Sequence, residues 1–332
     1  MFKLLPIILL LMMHTACVQA PVSGNISNVL DPWANMPTDV TMLAPGVIST
    51  RYNDRDLAIS PDGKLLLFTR VSPKNRISAI MQSRITDQGM SQPQITAFSG
   101  QYSDLEPAFS PDGNRLYFAS NRPLSGQGPP KDFDIWFVEK VNTSWSEPIN
   151  IGAPVNTDLD EYYPSLTQKG DLYFTGLYDR SESGENIYKS TNANGKFQTP
   201  VAINEKPSLS NNEFNAFVGP DESYLIFSSD RKKQGGDYAD LYISFLHNGQ
   251  WTDGVNLGEK INTSQLDYCP FVYEFNGKRQ LFFTRTDIAI KNYYPDRLSN
   301  ADFQEILDQV ENGTGNIYRV SFDDLLNDLM LD

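Results

Sequence analysis

The chain has 332 residues and is strongly acidic, with 41 Asp and Glu against 27 Lys and Arg, a formal charge of −14. This balance argues against binding to the phosphate backbone of nucleic acids, which requires a basic face. Two cysteines and two histidines also argue against a disulfide framework, a thiolate zinc site and a histidine-based catalytic triad.

The N-terminal segment is typical of an exported protein. Lys3 precedes an apolar run over residues 4–13, which is too short to span a bilayer but fits the core of a signal peptide. Thr15-Ala16-Cys17 resembles a bacterial lipobox, which predicts a signal peptide over residues 1–17 and a lipid on Cys17 that anchors the chain to the outer membrane, facing the periplasm. Cleavage after Val18-Gln19-Ala20 is the alternative. Residues 18–40, rich in Pro, Asn and Ser, are predicted to be a tether.

The rest of the chain is an internal repeat. Ser60-Pro61-Asp62-Gly63 recurs as Ser110-Pro111-Asp112-Gly113 and then degenerates, giving turns at positions 63, 113, 170, 222 and 277 that lie 50, 57, 52 and 55 residues apart. Each turn joins two short apolar segments, and in every unit but the last two further strand-like segments follow. Four short strands in a unit of about 50 residues are typical of a propeller blade.

These units predict an all-β fold, a β-propeller of four-stranded blades. Five units can be counted, so five blades are favoured, and six is the alternative if residues 21–45 form a degenerate unit. The last unit lacks its outer strand, and residues 42–47 resemble such a strand. We therefore expect the N-terminal strand to close the ring of one domain, residues 41–332, with an insertion at about 286–315.

The recurring turn motif, followed by Phe118-Ala119-Ser120-Asn121-Arg122 and Phe227-Ser228-Ser229-Asp230-Arg231, resembles the TolB-type, WD-repeat-like β-propeller family. The resemblance covers about residues 50–320 and implies the fold. It implies little about activity, since such propellers serve as binding platforms, enzyme appendages and scaffolds.

Two sets of polar residues recur on the first strand of the units, which lines the channel of a propeller. The first set is an acid in every unit: Asp54, Asp104, Glu161, Glu213 and Asp267. These acids could form a ring at the channel mouth that binds Ca²⁺ or a cationic ligand. Alternatively, each could pair with the arginine that follows the second strand of its own unit: Arg70, Arg122, Arg180, Arg231 and Arg285.

The second set lies two residues further on and differs between units: Asp56, Glu106, Tyr163, Asn215 and Cys269. Side chains two apart share a face of a strand, so this set is predicted to point the same way as the acids. Asp56 and Glu106 could act as the carboxylate pair of a glycosidase, or merely line a solvated channel. Cys269 is predicted to be a small buried hydrophobe and His247 an exposed residue of a hairpin tip.

The insertion is the least regular part of the repeat. It carries Tyr293 and Tyr294, which could stack on a sugar or a partner's side chain, or could cover the closing seam of the ring. A short helix is predicted over residues 301–311, with Asn300 as its N-cap, and the end of the chain, residues 322–331, is apolar at helical spacing and is predicted to pack on the rim.

The sequence contains no Gly-x-Ser-x-Gly nucleophile motif and no recognisable catalytic set, and no cofactor is predicted apart from the Ca²⁺ just considered. The main prediction is therefore a non-enzymatic, envelope-anchored platform that binds an envelope protein or a cell-wall glycan, with no nucleic acid as partner. The alternatives are a carbohydrate-active enzyme, a glycoside hydrolase or lyase that uses the channel carboxylates, and a structural subunit of an envelope complex.

Overall fold

The repeated turn motif forms a hairpin held by its own side chains. In the computed structural model, which describes residues 33, 36–177, 184–203, 212–231 and 239–331, the Ser60 hydroxyl donates to the Asp62 carboxylate at 2.5 Å and accepts from the Leu65 amide at 2.9 Å. Gly63 has a φ of +68°, and a Cβ there would lie 2.7 Å from the Tyr273 hydroxyl, so glycine is required. The turn fixes the register of the two strands it joins.

Each unit folds into an antiparallel sheet whose first strand lies at the channel. Strand β1 (Thr41–Met42) comes first in the chain but belongs to the last sheet. Blade 1 consists of β2 (Asn53–Ile59), β3 (Leu65–Val71), β4 (Ser78–Thr86), β5 (Gly89–Met90) and β6 (Gln94–Ile95), with a 3-10 turn at Pro73–Asn75. Blade 2 consists of β7 (Asp104–Phe109), β8 (Arg115–Ser120), β9 (Asp134–Val141), β10 (Ser144–Trp145) and β11 (Ile149–Asn150).

The remaining blades repeat this order. Blade 3 consists of β12 (Glu161–Leu166), β13 (Leu172–Gly176), β14 (Asn186–Ser190), β15 (Asn192–Ala193), β16 (Lys196–Phe197) and β17 (Val201–Ala202). Blade 4 consists of β18 (Glu213–Val218), β19 (Tyr224–Ser229), β20 (Asp240–His247), β21 (Gln250–Trp251) and β22 (Val255–Asn256). Blade 5 contains β23 (Asp267–Phe275), β24 (Lys278–Arg285) and β25 (Asn316–Ser321).

The N-terminal strand closes the ring. β1 is the fourth strand of blade 5, where Thr41 pairs with Arg319 and Met42 with Tyr318. The Leu43 amide continues the pairing with a bond of 2.8 Å to the Ile317 carbonyl. The prediction of a five-bladed propeller closed by an N-terminal strand is confirmed, and the described part of the chain forms no sixth blade.

The core consists of apolar layers between neighbouring blades. Consecutive residues of the second strand face opposite sides, so Leu66 joins a cluster with Phe282 of blade 5, whereas Leu67 joins one with Phe118 of blade 2. This double burial explains why the second strand of each unit reads as a continuous apolar run.

Two α-helices of the described part of the chain lie outside the blades. α1 (Asn300–Asp308), in the insertion, begins with a capping box in which Ser299 is the N-cap and Asp302 its partner, so the prediction of Asn300 as N-cap was one residue too late. α2 (Phe322–Leu331) places Phe322 and Leu325 in the apolar layer between blades 4 and 5. No helix among the described residues is both long enough and apolar enough to cross a membrane.

The two ends of the channel differ. At one end, here called the turn face, lie the turns between first and second strands, such as Ser60-Pro61-Asp62-Gly63. At the other, here called the loop face, the first strands begin, the second strands end and the third strands begin, as the pairing of Asp54 with Arg70 and of Val71 with Ser78 shows. The blade 5 insertion joins a second strand to a third strand, so it lies on the loop face.

Candidate functional site

The first set of acids lies inside the blades. Four of the five bind the arginine of their own blade: Asp54 binds Arg70 at 2.6 Å, Asp104 binds Arg122 at 2.6 Å, Asp267 binds Arg285 at 2.7 Å, and Glu213 binds Arg231. In blade 3 the Thr157 hydroxyl donates to Glu161 at 2.6 Å, and Arg180 lies outside the described residues. The channel has a cavity at each end, and none of the five acids lines either cavity. These side chains therefore do not form the predicted acidic ring at the channel mouth.

The backbone explains why the two sets diverge. Every residue of the second set has a left-handed backbone: φ is 58° at Asp56, 59° at Glu106, 50° at Tyr163, 48° at Asn215 and 55° at Cys269. The pairing of first and second strands shifts register at the same place in all five blades. Each first strand thus carries a β-bulge that breaks the two-residue alternation. The inference that both sets share one face fails for this reason.

The bulges bring together side chains from several blades. Arg55 Nη2 donates to Glu106 Oε1 at 2.9 Å, and Asn215 Nδ2 donates to the same oxygen at 3.1 Å. The Tyr163 amide donates to Glu106 Oε2 at 2.8 Å. Arg55 Nε also donates to both oxygens of Asp56, at 2.8 and 2.9 Å. One guanidinium therefore holds the two carboxyl groups of the predicted pair side by side at the centre of the propeller.

This environment changes the protonation of Glu106. Its carboxyl is only 4% exposed, and burial, reinforced by the negative charge of Asp56, raises its pKa to about 8 even though Arg55 acts in the opposite direction. Burial likewise raises the pKa of the Cys269 thiol, which therefore remains protonated and is a poor nucleophile. The raised pKa favours the protonated form of Glu106 near neutral pH, whereas the hydrogen bonds from Arg55 and the Tyr163 amide act in the opposite direction.

A cavity of about 390 Å³ opens above this network on the loop face. Aromatic side chains form much of its wall: Phe133, Tyr162, Phe214 and Tyr268. Its polar lining includes Arg55, Glu106, Asn215 and Glu185. The Phe133 and Tyr162 rings lie 5.0 Å apart, and the Arg55 guanidinium lies 5.0 Å from the Tyr268 ring centre. This volume and this mixture of aromatic walls with a few convergent polar groups are typical of a small-ligand site.

Glu185 is a site residue that the sequence reasoning missed. It precedes β14, its amide donates to Asn212 Oδ1 at 3.0 Å, and no hydrogen bond among the described residues ends on its carboxylate. Burial and the negative charge of Asp160 raise the pKa of Glu185, and the positive charge of Arg55 offsets only part of this rise. The residues that precede the third strands of blades 1 to 5 are Ile77, Phe133, Glu185, Ala239 and Gly315. Glu185 is the one acid among these five, and this difference is the signal by which the sequence could have indicated it.

A second cavity, of about 300 Å³, lies on the turn face. Its walls are apolar, with Pro107, Pro164 and Pro270 among them, and Asp56 and Glu106 also line it. Glu106 lines both cavities, so it lies at the partition between the two ends of the channel.

The tyrosines of the insertion lie away from the channel cavities. Tyr293 is 75% exposed, and the Tyr294 hydroxyl accepts from the Lys291 amide at 3.3 Å. The insertion itself packs over the seam between blades 5 and 1, where Asn312 Nδ2 donates to the Arg51 carbonyl at 3.0 Å. His247 is exposed at the end of β20, and Cys269 is buried. Within the described ranges, no three His, Cys, Asp or Glu side chains are placed to hold a metal ion together.

The fold is shared with solved structures of low sequence identity, although no protein-family profile and no curated protein matches the chain. A structure of a complex of BT0996 and RGII matches with a TM-score of 0.50 and 11% identity, over 87% of this protein and 90% of the other. A "Glycoside hydrolase" matches with a TM-score of 0.51 and 10% identity, over 86% and 91%. An α-L-arabinofuranosidase from Lactobacillus brevis matches with a TM-score of 0.51 and 12% identity, over 83% and 92%.

These neighbours correct the functional prediction. At such identities the likeness shows the five-bladed fold, and the activities belong to the named proteins. The prediction of a non-enzymatic binding platform, rather than an enzyme, is nevertheless wrong on this comparison, because two of the three neighbours are named as glycosidases.

Proposed function

We propose that this protein is a carbohydrate-active enzyme that hydrolyses glycosidic bonds in the loop-face cavity. The observation that carries the proposal is that Glu106 and Glu185 line one cavity together with Arg55, and that the pKa of Glu106 is raised to about 8. Glycoside hydrolysis requires two carboxyl groups, one protonated and one ionised. The fold shared with named glycosidases supports the same conclusion.

The roles follow from the surroundings of each carboxyl group. Glu106 is the general acid, because its proton is retained at neutral pH and can pass to the oxygen of the leaving sugar. Glu185 is the second carboxylate, because it lines the same cavity as Glu106 and no described hydrogen bond occupies its oxygens. Burial and the charge of Asp160 raise its pKa, and the positive charge of Arg55 offsets part of that rise. Asp56 contacts neither sugar nor water in this scheme, and its charge helps to keep the proton on Glu106.

Hydrolysis fits the cavity better than a lyase reaction. Lyases need a base that removes a proton from a sugar carbon, and that base is commonly a tyrosine, histidine or lysine. Burial raises the pKa of both cavity tyrosines, Tyr162 and Tyr268, which keeps them protonated. Among the described residues that line this cavity there is no histidine or lysine. The aromatic walls are suited to the apolar faces of sugar rings.

The test is release of sugar from a panel of aryl glycosides and plant and bacterial polysaccharides. We expect wild-type protein to release reducing ends from at least one of them, and Glu106→Gln to lower kcat/KM by about 10²- to 10⁴-fold. The matched control is Glu139→Gln, a surface change in the same blade whose side chain is 45% exposed and pairs with Arg115. Full activity of Glu106→Gln, or products that carry an unsaturated sugar at the new non-reducing end, would contradict the proposal.

We also propose that the enzyme is exported and anchored by a lipid on Cys17, as the lipobox resemblance and the TolB-type repeat suggest. Cys17 lies outside the described residues. Radiolabelled palmitate fed to expressing cells should label wild-type protein in the membrane fraction. Cys17→Ser should abolish the label, whereas Cys269→Ser should leave it unchanged. Label on Cys17→Ser would refute the anchor and leave the catalytic proposal standing.

A further inference from the structure

The insertion of blade 5 creates a third cavity, here called the seam pocket, on the loop face. It has a volume of about 330 Å³, and its lining includes Thr50, Arg51, Tyr52, Arg70, Asp308 and Val310. The insertion contributes Asp308 and Val310, and the segment before β2 contributes residues 50–52. Two bonds from the insertion hold that segment: Asn312 Nδ2 donates to the Arg51 carbonyl at 3.0 Å, and Thr314 Oγ1 donates to the Tyr52 carbonyl at 3.2 Å.

The seam pocket combines positive charge with an exposed aromatic ring. The Tyr52 side chain is 47% exposed, and the guanidinium groups of Arg51 and Arg70 lie 5.3 and 5.0 Å from its ring centre. Two guanidinium groups thus lie beside one ring in a chain whose formal charge is −14. Guanidinium groups recognise carboxylate, sulfate and phosphate oxygens through paired hydrogen bonds, and an exposed tyrosine ring can stack on a sugar.

The pocket is next to the proposed catalytic cavity. Arg70 lines the seam pocket, whereas the following residue of β3, Val71, lines the loop-face cavity. Because consecutive residues of a strand face opposite sides, the two cavities flank the end of one strand. A glycan chain bound in the catalytic cavity could therefore continue over this strand into the seam pocket.

We propose that the seam pocket binds an anionic sugar residue, a uronate or a sulfated sugar, of the same glycan that is cleaved in the channel. The proposal rests on the function proposed above for its choice of a glycan. Arg51 supplies the main charge, since Arg70 is already committed to the buried carboxylate of Asp54. Tyr52 supplies the stacking surface.

Asp308 allows a test of the proposal in which a substitution should strengthen binding. It pairs with Arg51 in this structure, and both side chains are nearly half exposed, at 44% and 47%. Exposed ion pairs are weak, so a ligand carboxylate or sulfate can displace Asp308 from the guanidinium. Removing the charge of Asp308 should therefore strengthen binding of an anionic sugar, whereas removing Arg51 should weaken it.

The experiment is calorimetric titration of the intact protein with three oligosaccharides of equal length. One carries uronate residues, the second is the same chain with its carboxyl groups reduced to alcohols, and the third is a sulfated chain. We expect an anionic chain to bind about tenfold more tightly than the reduced chain, and this preference to weaken as salt is added. Arg51→Ala should abolish the preference, Asp308→Asn should increase it, and Tyr52→Ala should weaken all three chains equally.

The matched control is Arg84→Ala, which removes an exposed arginine of blade 1 at the opposite, turn-face end of β4. A thermal unfolding midpoint within error of wild type confirms that each variant folds. Equal affinity of wild type for anionic and reduced chains would overturn the inference, as would a loss of preference in Asp308→Asn. Binding and cleavage are measured separately, so a protein that binds anionic chains but cleaves none would refute the proposed function and leave this inference intact.

Discussion

Glu106 shows how the protonation of one side chain depends on groups supplied by several blades. Its position on the partition of the channel removes it from water, and Asp56 adds a like charge beside it. Arg55 binds both carboxyl groups and limits the resulting rise in pKa. A carboxyl group whose pKa lies near neutral pH is suited to donate a proton at that pH. The catalytic state of Glu106 is therefore sensitive to Asp56.

This dependence predicts the pH profile. If Glu106 is the general acid, kcat/KM of wild-type protein should fall above about pH 8, as Glu106 loses its proton. Asp56→Asn removes the like charge, so the pKa of Glu106 should fall and the alkaline limb of the profile should move to lower pH. The measurement is kcat/KM against pH on the best aryl glycoside from the panel. Asp253→Asn, an exposed acid of blade 4, should leave the limb in place. An unmoved limb in Asp56→Asn would contradict the assigned roles.

Glu161 should make stability depend on pH. It is fully buried, and burial raises its pKa to about 8 from the ordinary value of 4.5. Between these values the folded state binds more protons than the unfolded state, so the free energy of unfolding should decrease as pH rises from about 5 to 8, by at most about 1.4 kcal/mol per pH unit for one proton. Glu161→Gln should flatten this part of the curve, measured by urea unfolding at several pH values. A curve identical to that of wild type would exclude this role.

The acid–arginine pair is a structural element that recurs from blade to blade. In blade 2, Asp104 is fully buried and Arg122 is 7% exposed, and Arg122 also donates to the Phe98 carbonyl at 3.1 Å. The pair thus ties the segment before the first strand to the end of the second. Burial raises the pKa of Asp104, and Arg122 offsets this effect by favouring the charged carboxylate.

Breaking one such pair should therefore be costly. Arg122→Met leaves the Asp104 carboxyl buried without its partner and should lower the free energy of unfolding by about 3–5 kcal/mol. Arg115→Met in the same blade breaks an exposed pair with Glu139, so it should cost only about 0–1 kcal/mol. Both values come from urea unfolding at neutral pH. Similar losses of unfolding free energy in the two variants would show that the buried pair does not stabilise the blade more than an exposed pair does.

The repeat allowed the elements to be predicted, because turn chemistry and burial act locally. Ser60, Asp62 and Gly63 form their turn from their own side chains and backbone, so their recurrence marks each blade. The β-bulges could not be predicted, because a left-handed residue in a strand leaves little trace when it is Asp, Glu, Tyr, Asn or Cys rather than glycine. As a result, Asp56 and Glu106 were recognised as candidates, but the direction of their side chains was not.

The candidate site was predicted only in part. Asp56 and Glu106 were found because they break the symmetry of the repeat at a channel position. Glu185 lies before a third strand, and only the fold brings its carboxylate to the cavity that Glu106 lines. The role of Arg55, which binds both Asp56 and Glu106, likewise depends on contacts between blades.

At the scale of the whole molecule, the propeller is a ring in which each blade packs on two others. The apolar layer between blades 5 and 1 differs from the rest, because Trp33, Leu43 and Ile48 from the N-terminal segment take part in it. β1 also supplies the outer strand of blade 5, and Ser49 Oγ donates to the Ile317 carbonyl at 3.1 Å. The segment over residues 40–49 therefore joins the two ends of the chain.

This closure can be tested by comparing two truncations. A chain that begins at Val40 retains β1, whereas one that begins at Thr50 loses it together with the buried Leu43 and Ile48. Each buried aliphatic side chain that is lost should lower the free energy of unfolding by about 2–5 kcal/mol, so the shorter chain should unfold at a clearly lower temperature.

Because blade 5 of the shorter chain lacks an outer strand, an added peptide of residues 40–49 should bind there and raise the unfolding midpoint in proportion to the logarithm of its concentration. The same peptide with Leu43→Pro cannot donate to the Ile317 carbonyl and should have no effect. Equal midpoints for the two truncations would mean that the ring is held without β1.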